Sequence, residues 1–401
     1  MLFPLHLVAV AFAGARMPAA ICHHRCAAPV AATLEAQHTL FARFNGAEWK
    51  GLATFVDPLT GEPGIPVAYD HVVVAQGDAA KRDSVVVRTS TTVGGEPQDD
   101  QVAWAGSTTD VDVDGSYSMQ HPAGLGLATQ LAAAATRADG TPLGVALDDA
   151  LVLDCSLAVS DEERRRCLLA YDRTSRELTA ALLLVETKAG AAAAPAGGAT
   201  QATLIQLLGE WAGDASVRSR APPPPPAKGF GRGLASRAAD KPAAAARLNV
   251  FKARLSYGWD GRDTVARQLG VTGFDGQEAP PIRSVGTLLR HQGRWGEYEQ
   301  VRFLADAACP SLLLLPSDCH VLAPLQLPEP SSGDAWSVEF GAVLPAGEVY
   351  GWQGWQGADD DDDESGNPNA ASASSPRLVR IQRLHSADAF VSGTTSLCTA
   401  D

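Results

Sequence analysis

The chain of 401 residues carries 46 acidic and 32 basic residues, which gives a formal net charge of −14. This negative field repels phosphate polyanions, and because no basic patch interrupts it, nucleic acid is excluded as a partner. Hydrophobic residues make up 45% of the chain, enough for a buried core, while 38 glycines and 26 prolines favour turns over long helices.

The first 32 residues have the composition of a targeting leader. The apolar run at residues 2–13 suits the core of a signal peptide and is shorter than the roughly 20 residues of a bilayer span. No acidic residue precedes Glu35, while Arg16, Arg25 and several alanines follow the apolar run, as in a transit peptide. We therefore expect a plastid protein that travels through the secretory route, with secretion as the alternative and without a transmembrane segment.

From residue 33 the sequence predicts a short helix followed by β-strands. Thr33 caps the helix, and apolar residues keep helical spacing as far as Phe44. Apolar runs bounded by Gly, Pro, Asp or Asn then predict strands, the last three forming a hairpin with a closing strand. These runs are residues 52–56, 68–75, 84–92, 102–109, 115–119, 151–159, the partner strand after residue 162, and 178–185. Many short strands are typical of a sandwich or barrel, whereas the Ala- and Gly-rich residues 122–147 fit no pattern.

The second half of the chain repeats this order after a Gly, Ala and Pro linker at residues 189–199. A helix capped by Thr200 precedes Trp211, as the first helix precedes Trp49. Strands follow at residues 248–257, 263–271, 287–290, 299–305, 311–315, 319–327, 336–344 and 378–384. The second unit is longer than the first, and low-complexity inserts at residues 219–246 and 357–375 account for most of the difference. The sequence thus predicts an all-β protein with two units, 33–188 and 200–390, and a tail at 391–401.

Each unit carries a carboxylate at the fourth position of the first hairpin strand, Asp154 in one and Glu339 in the other. In the first unit Arg164, Arg165 and Arg166 follow on the partner strand, and strand alternation places Arg164 and Arg166 on one face and Arg165 on the other. The alternative is that the carboxylates face solvent and the arginines form a charged hairpin tip. No arginine occupies residues 348–351, so we expect a polar site in the first unit.

Conventional catalytic motifs are missing from the sequence. There is no Ser-His-Asp spacing, phosphate-binding loop, zinc-protease helix motif or dinucleotide fingerprint, so a hydrolase or oxidoreductase is not expected. Trp49 and Trp211 are predicted to plug the closed ends of two barrels. Cys155 and Cys167 face each other across the hairpin, either bridged in an oxidising compartment or as small buried side chains in a reducing one.

The doubled pattern of helix, tryptophan and strands resembles a known family. Residues 207–213, 312–316 and 338–347, with 154–186 in the first half, resemble a two-domain lipocalin-like (calycin) family of unknown function from cyanobacteria and plastid-bearing lineages. The resemblance implies two tandem antiparallel lipocalin-like barrels, each preceded by a short helix. That family is similar in fold to the S-type phycobiliprotein lyases, which hold an open-chain tetrapyrrole and pair a strand carboxylate with arginines of the next strand.

The resemblance implies a binding or carrier protein for a hydrophobic or amphipathic molecule, such as a tetrapyrrole (bilin) or a lipid. Its ligand-binding residues would be Asp154, Arg164, Arg166 and Glu339, with no required cofactor and no metal. One alternative is a chromophore lyase that delivers a bilin to a light-harvesting apoprotein. Another is an interaction scaffold of degenerate barrels, which filled interiors would favour. We expect the first barrel to bind the ligand and the second not to bind it.

Overall fold

A computed structural model describes most of the two predicted units. The described residues are 34–76, 85–104, 109–112, 115–121, 126–143, 147, 149–191, 201–219, 247–272, 278–303, 310–345, 375–386 and 389–400. The predicted leader, residues 192–199 of the linker and nearly all of both inserts lie outside these ranges. Within them, no helix has the length and apolar character that a membrane crossing needs, and no cluster of side chains suits a metal ion.

The first unit forms a curled nine-stranded antiparallel sheet. Its spatial order is β4-β3-β2-β1-β9-β8-β7-β6-β5. Helix α1 precedes β1, and helix α2 lies between β6 and β7. The elements are α1 (Leu34–Asn45), β1 (Glu48–Val56), β2 (Val67–Gln76), β3 (Val85–Val93), β4 (Glu96–Trp104), β5 (Thr109–Val111), β6 (Tyr117–His121), α2 (Gly126–Ala134), β7 (Ala150–Ala158), β8 (Glu163–Asp172) and β9 (Leu178–Lys188). No pairing between β4 and β5 closes this sheet within the described residues.

The second unit is a closed antiparallel barrel of ten strands, β10 to β19 in sequence order. The first and last strands pair along their length, from Trp211 with Ala400 to Ser219 with Ser392. Its elements are α3 (Leu204–Leu207), β10 (Gly209–Ser219), β11 (Arg247–Trp259), β12 (Thr264–Thr272), β13 (Ile282–Gly293), β14 (Gly296–Phe303), β15 (Pro310–Leu314), β16 (Cys319–Pro324), a 3-10 turn (Pro330–Ser332), β17 (Ala335–Leu344), β18 (Arg377–Ser386) and β19 (Ala389–Ala400).

The all-β prediction is confirmed, and four details of it are corrected. The strand at residues 378–384, expected to close the second unit, is β18, which pairs directly with β17. Closure comes from β19, so the predicted tail is wrong for residues 391–400: their Ser- and Thr-rich sequence forms a strand once two neighbours supply its hydrogen bonds. The first unit is a curled open sheet instead of a closed barrel. The second helix has its cap at Thr203, three residues beyond Thr200.

The largest hydrophobic core lies between the two sheets. Alternate residues of β7, including Leu153 and Cys155, pack on residues of β16 and β17 such as Val321 and Phe340. The residues between them face the lumen of the first sheet, where Val152 belongs to one hydrophobic cluster with residues of helix α2. Each β7 residue is thus buried on one side or the other, which explains why the strand is almost uniformly buried.

Polar contacts also join the two sheets. The Tyr171 hydroxyl donates to the Pro324 carbonyl at 3.0 Å, and Arg383 of the barrel pairs with Asp110 of β5 at 3.1 Å. The backbone contributes as well, since the Leu178 N–H donates to the Leu325 carbonyl at 2.8 Å. Because one hydrophobic cluster and several buried polar groups span both sheets, the two units form a single folded body.

Candidate functional site

A network of buried charges lies inside the first sheet. Asp154 on β7 accepts two hydrogen bonds from the Arg166 guanidinium, Nη2 to Oδ2 at 2.7 Å and Nε to Oδ1 at 3.2 Å. The Tyr117 hydroxyl on β6 also donates to Oδ2, at 3.2 Å. Asp154 and Arg166 are 2% and 3% exposed, so the alternative that Asp154 faces solvent is wrong. The other side of β7 packs against the hydrophobic core shared with the barrel. A polar side chain of this strand therefore finds hydrogen-bond partners only in the lumen of the first sheet.

Glu186 on β9 extends the network to a second arginine. It receives Nε and Nη2 of Arg164 at 2.5 and 3.2 Å and Nη1 of Arg166 at 3.2 Å. The remaining Arg164 nitrogen donates to Asn45 Oδ1 at 3.0 Å, and the guanidinium lies 4.0 Å from the centroid of the Trp49 ring. Both guanidiniums therefore have carboxylate partners, and the alternative of a charged hairpin tip is wrong for Arg164 and Arg166.

The electrostatics follow from burial and from these pairs. Burial alone would raise the pKa of Glu186, but Arg164 and Arg166 outweigh it and lower the pKa to about 2. Burial raises the pKa of the Tyr117 hydroxyl despite the neighbouring Arg166. Burial and Arg166 lower the pKa of His71 to about 3. The histidine is therefore neutral near pH 7, and two arginines balance two carboxylates.

A small cavity lies beside this network. It has a volume of about 30 Å³, and both apolar and polar side chains line it. The lining residues are Phe41, His71, Val73, Val87, Thr89, Tyr117, Met119, His121, Leu127, Asp154 and Arg166. Strands β2 and β3 form the wall opposite Asp154 and Arg166, so the charged network occupies one wall and leaves this space open. A water molecule needs roughly 10 to 15 Å³ by this measure, so the cavity holds about two.

Arg165 and the two tryptophans occupy different surroundings. Arg165 points away from the lumen, and its Nη1 donates to the Ser317 carbonyl of the barrel at 2.8 Å, as alternation predicts. Each tryptophan indole N–H donates to the carbonyl four residues earlier, Trp49 to Asn45 and Trp211 to Leu207, both at 3.0 Å. Both tryptophans are buried under the preceding helix, so each secures the start of the first strand of its sheet.

Glu339 occupies the corresponding place in the second barrel. Its Oε2 accepts from Arg267 Nη2 at 2.6 Å and from Arg380 Nη1 at 2.8 Å. His320 Nε2 lies 3.7 Å from Oε1, and burial of Glu339 at 1% exposure excludes a solvent-facing carboxylate. Burial would raise the Glu339 pKa, but Arg267 and Arg380 lower it. The expectation that Glu339 lacks the arginine partners of Asp154 is wrong, because Arg267 on β12 and Arg380 on β18 supply them. Residues 348–351, where arginines were sought, lie outside the described residues.

The strand register shows that the two charged sites are equivalent. Arg166 pairs with Ser156, two residues after Asp154, and Arg380 pairs with Gly341, two residues after Glu339. The copies then diverge: Arg164 faces Glu186 across the strands in the first sheet. In the barrel the corresponding pair is Leu378 and Cys398. The same buried pair is thus present in both copies, with a second ion pair in the first.

The contact of Glu339 with Arg267 distinguishes the barrel from the first sheet. Arg267 belongs to β12, which is separated from β17 by four strands in either direction around the barrel. The Arg267–Glu339 pair therefore crosses the barrel interior. In the first sheet all four charged residues belong to the adjacent strands β7, β8 and β9. A cross-barrel contact of this kind leaves the middle of the second lumen occupied.

Comparisons with known proteins bear on the fold. No family model matches the sequence, and a search of the curated proteins found no match. Among solved structures, the chain is similar to a protein of unknown function from the DUF3598 family of Nostoc punctiforme. The identity is 15% and the TM-score 0.55, over 91% of this chain and 99% of that chain. At this identity the likeness shows the fold alone.

A second solved structure is much more distant. The chain is 8% identical to kievitone hydratase from Nectria haematococca, over 90% of this chain and 91% of that chain. The TM-score is 0.14, too low for the likeness to carry an argument. The expected relation to lipocalins and phycobiliprotein lyases rests on the sequence resemblance alone.

Proposed function

We propose that the protein is a non-catalytic binding protein for a small hydrophobic or amphipathic molecule, held in the lumen of the first sheet. The observation that carries this proposal is the cavity beside Asp154 and Arg166. It combines apolar walls with a few convergent polar groups, which is typical of small-molecule sites. We further propose a lipid or tetrapyrrole ligand and a plastid location, both of which rest on the sequence resemblance and the leader alone.

The second lumen is a poor candidate for the same role. The barrel is closed, and Arg267 joins Glu339 across its interior at 2.6 Å. A ligand there would have to break a buried ion pair, and leaving a buried charge unpaired typically costs about 3 to 5 kcal/mol. The first sheet needs no such loss, because its ion pairs lie along one wall.

The size of the cavity requires part of the first lumen to move. Ligand pockets usually measure roughly 300 to 1,000 Å³, whereas this cavity measures about 30 Å³. Helix α2 occupies the adjoining space, and its buried residues Leu127 and Leu131 belong to one hydrophobic cluster with Phe55 and Leu168. Leu127 also lines the cavity. Displacing α2 therefore enlarges the cavity without breaking the sheet.

Helix α2 is attached in a way that suits such a movement. At its N-terminus the Gly126 N–H donates to Asp100 Oδ2 of β4 at 2.8 Å. Just beyond its C-terminus Thr136 forms backbone bridges with Ile65 and Pro142. A helix of nine residues is shorter than the roughly 12 to 15 needed for independent stability, so its order depends on packing. We expect α2 to pivot near Thr136 when a ligand enters.

A matched pair of valines tests where the ligand binds. Val73 is 5% exposed and lines the cavity, whereas Val72 is 37% exposed on the other side of β2. Retinol and hexadecanol should bind the full-length wild-type chain, measured by tryptophan fluorescence. Val73→Phe fills the cavity and should abolish binding, while Val72→Phe should bind as wild type does. Equal binding by both variants would place the ligand elsewhere, and no binding by the wild type would refute the proposal.

An interaction scaffold is the second candidate, and the filled interiors favour it. The buried residues of each sheet form their own lumen cluster, and the cavity in the first sheet holds only about two waters. A scaffold would show no saturable binding of any small molecule. The chromophore-lyase alternative shares the proposed site and requires in addition that a bound bilin be transferred to a cysteine of an acceptor protein.

A further inference from the structure

Two buried polar groups of the cavity have no hydrogen-bond partner among the described residues. They are Thr89 Oγ1 on β3 and His121 Nε2 on β6, and both residues line the cavity. Each buried polar group without a hydrogen-bond partner lowers the stability of the folded protein by about 1 to 3 kcal/mol. Two such groups at one cavity therefore indicate a position that an incoming polar atom can satisfy.

The two arginines of the same lumen have no free hydrogen-bond donor for a ligand. Every nitrogen of Arg164 and of Arg166 already donates to an acceptor. Asp154 and Glu186 supply one negative charge for each of them. A ligand carboxylate would be a third buried negative charge facing two arginines, and burying an uncompensated charge is strongly unfavourable.

We infer that the head group of the ligand is a neutral hydroxyl or carbonyl that hydrogen-bonds with Thr89 and His121, and that it is not a carboxylate or phosphate. This inference rests on the proposed function and reverses the expectation that arginines clamp an acidic head. The apolar part of the ligand then lies along Phe41, Val87 and Met119 of the cavity wall.

The protonation of His121 agrees with a neutral head group. Burial and the nearby Arg166 lower the pKa of His121 to about 4, although Asp154 acts in the opposite direction. The ring is therefore neutral near pH 7, with one nitrogen that donates and one that accepts. The Thr89 hydroxyl can also donate or accept, so the pair suits an alcohol or a ketone equally well.

Matched alcohol and acid probes test the inference on the full-length chain. Retinol against retinoic acid, and hexadecanol against palmitate, differ mainly in the head group. The alcohol of each pair should bind at least about tenfold more tightly at pH 7. Thr89→Val should weaken alcohol binding about three- to tenfold by removing one hydrogen bond. The control Thr92→Val, at a strand position of opposite parity, should bind as wild type does.

The possible results separate this inference from the proposed function. Acids that bind as tightly as the alcohols would overturn the neutral head group and leave the binding function standing. Alcohol binding that is unaffected by Thr89→Val would overturn the assignment of Thr89 as a partner of the head group. If neither member of either pair binds the wild-type chain, the inference and the binding function both fail.

Discussion

The buried charge of Glu186 should stabilise the folded chain by an amount that follows from its pKa. The carboxylate is fully buried and accepts hydrogen bonds from Arg164 and Arg166 at 2.5 to 3.2 Å. Glu186→Gln keeps the shape of the side chain and removes its charge. The substitution leaves two buried guanidiniums with one carboxylate, so the free energy of unfolding should fall.

The magnitude follows from the pKa. The pKa of Glu186 falls from an ordinary 4.5 to about 2 in the folded chain, and one pKa unit corresponds to about 1.4 kcal/mol. Ionised Glu186 therefore contributes about 3 kcal/mol to the free energy of unfolding. Since the folded pKa is the lower one, this contribution is complete above about pH 4.5 and is lost as the pH falls towards 2.

Urea unfolding of the full-length chain, followed by tryptophan fluorescence, measures the difference. Glu186→Gln should lower the free energy of unfolding by about 3 kcal/mol at pH 7, and the difference from wild type should narrow between pH 4.5 and 2. The control Glu48→Gln, on the exposed face of β1, should stay within about 0.5 kcal/mol of wild type. Equal stability of Glu186→Gln and wild type at pH 7, or a difference unchanged at pH 2, would refute the reasoning.

Three further predictions concern the barrel and its junction with the first sheet. Glu339→Gln leaves Arg267 and Arg380 buried with a neutral partner, and should lower the free energy of unfolding by about 3 to 5 kcal/mol in urea. An unchanged urea midpoint would contradict the cross-barrel pair. Tyr171→Phe removes the hydrogen bond to Pro324 and should lower the same free energy by about 1 kcal/mol, with no change in near-UV circular dichroism. Either half expressed alone should aggregate, because it exposes the shared core; a soluble, cooperatively folded half would show that the units are independent.

Strand alternation correctly predicts on which side of a strand each side chain lies. The spacing of Arg164, Arg165 and Arg166 is enough to place the first and third side chains together and the second opposite them. It does not say what covers each face. Sequence reasoning left solvent open as an alternative for the polar side of β7, whereas one side of the strand meets the barrel and the other meets the lumen.

Contacts between distant strands are beyond local patterns. Glu186 lies opposite Arg164 in the register, so pairing the closing strand with the hairpin would have found it. Arg267 reaches Glu339 from the far side of the barrel, and no spacing in the sequence encodes that distance. Helix α2 was missed because alanine occurs on both its buried and its exposed sides, which hides the helical spacing of its buried residues Leu127, Ala128, Leu131 and Ala132.

A disulfide between helix α2 and β4 tests the central claim most directly. A Cβ atom placed on Gly126 would lie 3.2 Å from the Cβ of Asp100, close to the roughly 3.5 to 4.5 Å of a disulfide. The double variant Asp100→Cys/Gly126→Cys should therefore bridge on oxidation and hold α2 in the lumen. The native cysteines among the described residues, Cys155, Cys167, Cys319 and Cys398, are buried, and the two single variants Asp100→Cys and Gly126→Cys control for the other native cysteines.

Titration of this variant with retinol, with and without reductant, gives the deciding result. The account predicts that the oxidised form fails to bind and that reduction restores binding to the level of the two single-cysteine variants. Equal binding by the oxidised and reduced forms would show that α2 stays in place while the ligand binds, and would contradict a binding site in the lumen of the first sheet.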